Sequence, residues 1–459
     1  MLRTVSDERT LWESILPAAV LGMPEELERV DRLLDDERFF ESYRAHFHER
    51  LGRPSIPIET YLRLMFLKYR YRLGFEVLCR EVADSITWQR FARIPLGGQV
   101  PHPTTLMKIT TRCGTDAIDA LNEVLLARAV EARVLKTNRV RADTTVVEAN
   151  VAYPSDSSLL AKGVAKLAKA TKTLQALGVA TRTRTRDRTR SVRRRARAIG
   201  ANLRRRTGEA KDQVKAINAE MAAIAVRAVR EAQAVVRNAR RALARRGEGP
   251  TTKTAMLVTE LERTAARVER VAAQTRQRIS GITPEGATRI VSLHDPDARP
   301  IVKGRLGKPV EFGYKAQVLD NQDGIVLDHN VEIGNPPDAP MLVPAITRVA
   351  ARAGKMPRAV TADRGYGEQA IEDTLEAIGV RSVVLPRKGK PTAARRAFEQ
   401  RRSFQRHVKW RTGSEGRINC LKRDFGWART RTDTIHGART WCGHGVLAHN
   451  LVKIAGLIQ

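Results

Sequence analysis

What this sequence lacks narrows its class before any motif is considered. From Pro154 through Glu311 there is no Phe, Trp or Tyr, so this stretch has none of the large rings that dominate ordinary globular cores. The four cysteines, Cys79, Cys113, Cys420 and Cys442, lie far apart without a C-x-x-C pair. That argues against a zinc ribbon or a disulfide framework and for reduced, mostly buried thiols. No window approaches the ~20 apolar residues needed to span a bilayer, and the opening MLRTVSDERTLWESILP has no signal-peptide apolar region. The chain reads as soluble, intracellular and cytoplasmic, with no membrane partner. Acids are scarce as well: 82 lysines and arginines stand against 50 aspartates and glutamates, a net charge of +32. An anionic polymer is the expected partner, nucleic acid first. At 459 residues there is room for two or three domains.

Residues 1–135 read as helical. IPIETYLRLMFLKYRYRLG sets Ile58, Leu62, Met65 and Phe66 at helical spacing, and FEVLCREVADSITWQRFARIP supplies two further short amphipathic pieces. After the turn-like GGQVPHP, TTLMKITTRCG begins with Thr after Pro and ends at Gly114, as a short helix should. Three compact helices followed by one polar helix fit a helix-turn-helix DNA-binding domain, with Lys108 and Arg112 the first residues to test. A plain helical bundle used for dimerisation is the alternative.

Past residue 137 the texture becomes β, with NRVRADTTVVEANVAY as a strand. A basic insertion, residues 156–285, interrupts it. Its 31 lysines and arginines against 11 acids contribute +20 of the total charge. Ala, Val and Arg without aromatics suit long helices packed on each other, and GEGP at 247–250 breaks two of them into a hairpin. TRTRTRDRTRSVRRRARA is expected to stay disordered until it meets a polyanion; a solvated helix face is the bland alternative. From Thr288 the β texture resumes: EFGYKAQVLD and GIVLDHNVEIG joined through NQDG, then helix, RAVTAD, helix, VRSVVLP, a helix opening at Thr412 and an apolar C-terminal helix. Without the insertion, the order over 137–455 is that of an RNase H-like α/β domain, a mixed sheet with helices on both faces.

Ligands in α/β sheets gather at strand ends, so the acids there matter most. Asp143 lies in the first strand, Asp363 ends the strand RAVTAD, and Glu415 follows the last strand on a helix. Three carboxylates at one sheet edge repel one another unless a hard divalent cation holds them, and two such ions suit in-line displacement at phosphorus. Each acid also has a plainer reading. Asp143 could be a strand-edge charge, Asp363 a turn or cap residue, and Glu415 the last member of a capping box, Thr412-Gly413-Ser414-Glu415. At 100° per residue Glu415 and Lys422 share a helix face and Arg411 falls 40° away, whereas Asp424 faces the opposite side. Asp295 and Asp297 in HDPDAR read as a turn. Cys442 with His436, His444 and His449 lacks any zinc spacing.

Arg411, Glu415 and Lys422 match three of the four positions of the spacing Tyr-x2-Arg-x3-Glu-x6-Lys, with Val408 at the Tyr position. With ADRGYG, HDPDAR and EFGYKAQV, this resembles the DDE transposases of bacterial insertion sequences. The resemblance covers nearly all of the chain except the arginine-rich insertion. It implies an enzyme that cuts element ends and joins them to target DNA, with Asp143, Asp363 and Glu415 holding two Mg²⁺ (Mn²⁺ as a substitute) and Arg411 and Lys422 in the catalytic site. It further implies terminal inverted repeats and target DNA as partners, a homodimer on paired ends, and a nucleoid-associated prokaryotic setting. A metal-dependent nuclease of the same fold, and a non-catalytic DNA-binding derivative, are the alternatives.

Overall fold

The N-terminal region forms helices wherever apolar side chains recur with helical period. In the computed structural model, which describes residues 2–3, 15–205, 207–247, 249, 251–303, 307 and 309–458, these include α1 (Glu25–Leu33), α2 (Arg38–Arg44), α3 (Ile58–Arg70), α4 (Phe75–Asp84), α5 (Ile86–Phe91) and α6 (Pro103–Glu131). They are more numerous than the three compact helices and one polar helix expected. Most of the opening MLRTVSDERTLWESILP lies outside the described residues. α3 is buried all round, from Ile58 through Tyr69. It can be so because Arg63, fully buried, is ion-paired to Asp31 at 2.5 Å and Asp35 at 2.6 Å. The helix expected to end at Gly114 instead bends there, with φ 58° and ψ −147°. It restarts because Ala117, Ile118, Leu121 and Leu125 supply a second apolar stripe, which packs on the C-terminal helix, Thr434–Ala455.

β1 (Arg139–Glu148) follows, and the chain then enters the second of two compact units, residues 150–313 with 333–335. Here α7 (Asp156–Ala176), α8 (Thr189–Leu203), α9 (Gly208–Arg245) and α10 (Lys253–Ile279) pack around an aliphatic core that includes Leu160, Val164, Val229, Val235, Leu261 and Val268. α7 and α10 approach so closely that a Cβ on Gly163 would stand 2.6 Å from Val268. The break at GEGP separates α9 from α10; Glu248 and Pro250 themselves lie outside the described residues. The arginine-rich run is ordered, contrary to expectation. Glu231 accepts from the Arg186 amide at 2.9 Å and the Arg188 guanidinium at 2.6 and 2.8 Å, and α8 buries Val192 and Ile199. A carboxylate and two aliphatic anchors thus offset the repulsion that composition suggested. HDPDAR forms a turn before β2 (Arg299–Val302), a short strand not anticipated, which pairs antiparallel with the first residues of β3 (Val310–Asp320).

The first unit holds residues 1–149, 314–332 and 336–459. β3 joins β4 (Val326–Ile333) through NQDG, where the Asn321 side chain accepts from the Asp323 and Ile325 amides. α11 (Ala339–Ala353), β5 (Ala359–Thr361), α12 (Gln369–Ala377) and β6 (Ser382–Val384) come next. The sheet runs β3-β1-β5-β6 with β4 paired to β3. β1, β5 and β6 are parallel, and parallel neighbours need crossover connections such as helix α12. α13 (Ala393–Glu399), α14 (Arg402–Arg411), α15 (Gly413–Asp424) and α16 (Thr434–Ala455) complete the chain. Among the described residues no helix is long and apolar enough to cross a membrane.

Candidate active site

The site begins with sheet register. β1 and β5 pair Arg139 with Ala359, Val140 with Val360 and Arg141 with Thr361; two residues beyond the last pair, Asp143 continues β1 while Asp363 lies just past the end of β5. Asp143 is 8% exposed, its carboxylate accepting from the Thr144 amide at 2.8 Å. Asp363 leaves the sheet at the start of a short 3-10 turn and accepts from the Gly365 amide at 2.9 Å.

Glu415 arrives from the opposite side of the chain order. Arg141 and Asp143 are two apart on β1 and so face the same way. Arg141 makes a bidentate pair with Asp320, at 2.8 Å through both nitrogens, and donates to the Trp410 carbonyl at 2.9 Å. Its guanidinium lies where a Cβ on residue 413 would come within 2.1 Å, so glycine lets the junction of α14 and α15 close onto it. That contact places Arg411 at the end of one helix and Glu415 in the first turn of the next.

The capping box does not form. Thr412 has helical φ −54° and ψ −23° and makes no side-chain cap bond. Its hydroxyl donates backward to the Lys409 carbonyl at 2.7 Å. The helix expected to open at Thr412 is preceded by α14, so the first-turn amides have helix before them and the threonine has no end to cap. Glu415 instead stands 70% exposed in its side chain, 3.6 Å from Arg411, whose other nitrogen is 3.3 Å from Asp143. Arg411 thus sits between two of the three carboxylates. Burial above all pushes Asp143 up to about 6; the Asp363 and Glu415 charges add to the rise, while the Thr144 amide and Arg411 oppose it. Among the described residues no three His, Cys, Asp or Glu side chains close around one point where an ion could sit.

The other singled-out residues fall as follows. Lys422 lies two turns along α15 from Glu415 and lines a different cavity with Lys68 and Trp441. Val408 is half-buried one turn before Arg411, and Asp424 pairs with Arg423 at 2.9 Å. His444 and His449 are buried, the first stacked on Tyr69 and the second bonded to the Gly324 carbonyl at 2.9 Å. Sequence reasoning missed Asp338, whose carboxylate would be 2.8 Å from a Cβ on Gly365 and is paired with Lys315 at 2.6 Å. It lies five residues past the end of β4, at the start of α11, so a search for acids at strand ends passes over it.

Comparison with known proteins finds family matches toward both ends of the chain. A family model described as a transposase domain (DUF772) matches residues 18–112, and a transposase DDE domain model matches residues 291–451. The second match includes Asp363, Arg411, Glu415 and Lys422 and begins after Asp143. An uncharacterized protein of Rhizobium meliloti, ORF8 in the nfe locus, is 25% identical over 159 residues, 34% of this chain and 76% of that protein. No solved structure matches. With a transposase model on the helical front and another on the carboxylate-bearing core, the chain belongs to the DDE transposases of insertion sequences.

Proposed function

We propose that this transposase cuts the ends of its element and joins them to target DNA by two-metal phosphoryl transfer, on an RNase H-like core spanning 137–455 with a basic helical insertion at 156–285. The observation that carries the reading is the placement of Asp143 on β1 and Asp363 just past the end of β5, the parallel strand paired with it, with Arg411 holding Glu415 beside Asp143. The strand order β4-β3-β1-β5-β6 supports the fold assignment.

The donor set suits Mg²⁺, or Mn²⁺ in its place: carboxylate oxygens are hard ligands, and a cation, the Arg411 guanidinium, already lies between two of them. When bound, two such ions stabilise the attacking and leaving oxygens of an in-line displacement at phosphorus. Asp143, raised by burial, must be ionised to serve. Arg411 must turn from the carboxylates toward a phosphate oxygen, for which its planar fork is matched. Water attack at an end phosphodiester breaks its P–O3' bond, leaving a 3'-OH and a 5'-phosphate; that 3'-OH then attacks a target phosphodiester, forming the new P–O bond as the target strand's own 3'-OH departs. Residues 1–135 read the terminal inverted repeats, Lys108 and Arg112 among them, and joining two ends calls for a homodimer on paired DNA.

Glu415→Gln tests this. It is expected to fold with a melting temperature close to wild type, to bind end DNA, and to lose cleavage and joining by several orders of magnitude, because it removes the charge a hard cation favours. Cleavage within a few-fold of wild type at saturating Mg²⁺ would remove Glu415 from the mechanism. Cleavage without joining, on paired end DNA, would favour the nuclease alternative.

A further inference from the structure

Lys68, near the end of α3, is 2% exposed, yet no carboxylate among the described residues stands within ion-pair distance of it. Its ammonium lies over three aromatic rings instead, 4.3 Å from Tyr69, 4.3 Å from Trp441 and 4.7 Å from Phe75. Buried charges are ordinarily paired, and a buried polar group without a partner of its own points to an ion or water that completes it. The lysine lines a cavity of about 380 Å³, within the size range of small-ligand sites. Arg72, Lys422, Arg429 and Arg431 also line that cavity, and no acidic residue does. Arg429 is engaged with Glu148 at 2.8 Å; Arg72 and Arg431 are exposed at the rim. The walls therefore combine cations with the rings of Tyr69 and Trp441, the pairing that proteins use to hold phosphates and bases of unpaired nucleic acid.

We infer that this cavity is a phosphate-binding site, built on Lys68 at its floor and Arg431 at its rim, that takes a phosphate of a DNA strand. The inference rests on the reading that the chain handles DNA, but not on where the cutting occurs. Burial and the neighbouring Arg431 push Lys68 down to about 7, while the three ring faces favour its charged form; an arriving phosphate would favour the charged form further. Seven residues of helix, roughly 10 Å, separate Lys422 at this cavity from Glu415, so a strand held here could continue to the carboxylates.

The test uses the full chain and reads binding, so it is independent of catalysis. Wild type, Lys68→Met and Arg431→Gln are compared for the rise in melting temperature caused by inorganic phosphate over chloride at equal ionic strength. Their affinity for an end-bearing duplex with a single-stranded extension is measured across salt concentrations. Each variant is expected to lose the phosphate-induced rise, to bind the DNA about ten-fold more weakly, and to show a slope of log K against log[salt] reduced by about one. Loss of the phosphate effect with unchanged DNA affinity and slope would overturn the DNA assignment in favour of a free phosphate compound. An unchanged phosphate response and slope in folded variants would overturn the site altogether. If Lys68→Met fails to fold, Arg431→Gln, an exposed position, decides alone. Cleavage lost in Glu415→Gln with this binding intact would show that the two readings stand or fall separately.

Discussion

The two units solve the same problem, holding many cations in a folded chain, in opposite ways. In the first unit several arginines are buried or half-buried and given carboxylates: Arg63 with Asp31 and Asp35, Arg141 with Asp320, Arg352 with Asp328 and Glu123, Arg395 with Glu372 and Glu399. In the second, the core is aliphatic throughout, and many of its arginines, such as Arg193, Arg194 and Arg197, are turned outward on exposed helix faces. Paired arginines fix geometry, as the junction of α14 and α15 shows. Outward arginines fix nothing locally and stand open to solvent. The difference teaches that the charge excess of this chain is not one property: the first unit uses these cations for internal positioning, whereas the second, apart from pairs such as Arg188 with Glu231, turns many of its own outward.

The sharpest way to break this contrast is Asp320→Asn. It leaves the Arg141 guanidinium buried with a weakened partner, and breaking a buried pair costs about 3–5 kcal/mol. A fall in denaturation midpoint of that size is expected, with loss of cleavage because Trp410 to Glu415 is no longer held. A midpoint near wild type would mean that Arg141 is not an anchor. Next in size is Leu261→Ala in the second unit, where an aliphatic core predicts about 2–4 kcal/mol from the cavity left behind. DNA cleavage by the folded fraction should persist.

A smaller effect, of opposite sign, belongs to Asp143. Its carboxyl is about 6 in the folded metal-free protein against 3.8 ordinarily. A group raised on folding contributes stability below its unfolded value and loses it as pH rises through the folded one. Asp143→Asn should therefore raise metal-free stability at pH 7.5 by about 1–3 kcal/mol. It should also flatten the decline otherwise seen between pH 4 and 6. Thermal melts across that range, in chelator, check both.

The smallest effect sharpens the contrast most. Arg194→Gln with Arg197→Gln should change stability by less than about 0.5 kcal/mol, yet lower the salt slope of DNA binding by about two. An unchanged slope would mean that this helix face meets solvent or protein rather than DNA. Removing residues 160–282 and closing the gap with a linker extends the same measurement to the whole insertion.

Much of the molecule follows from local pattern alone. Alternation and β-branching made β1, β3 and β4 legible, Gly and Pro marked the loops, and acids at strand ends drew attention to Asp143 and Asp363. An aromatic-free, arginine-rich stretch could be assigned to packed helices because period and composition are local properties. What could not be read there depends on partners far away in the chain. Glu231 orders an arginine run some 45 positions before it, and Arg141 draws in the backbone at Trp410. That closure turns an apparent capping box at Thr412 into the junction of two successive helices. The place of Arg411 between Asp143 and Glu415, and the aromatic seat of Lys68 between α3 and α16, were likewise decided only by tertiary structure. Propensity acts over a few residues, whereas the partner of a buried charge is chosen by whatever the folded chain brings within a few ångströms.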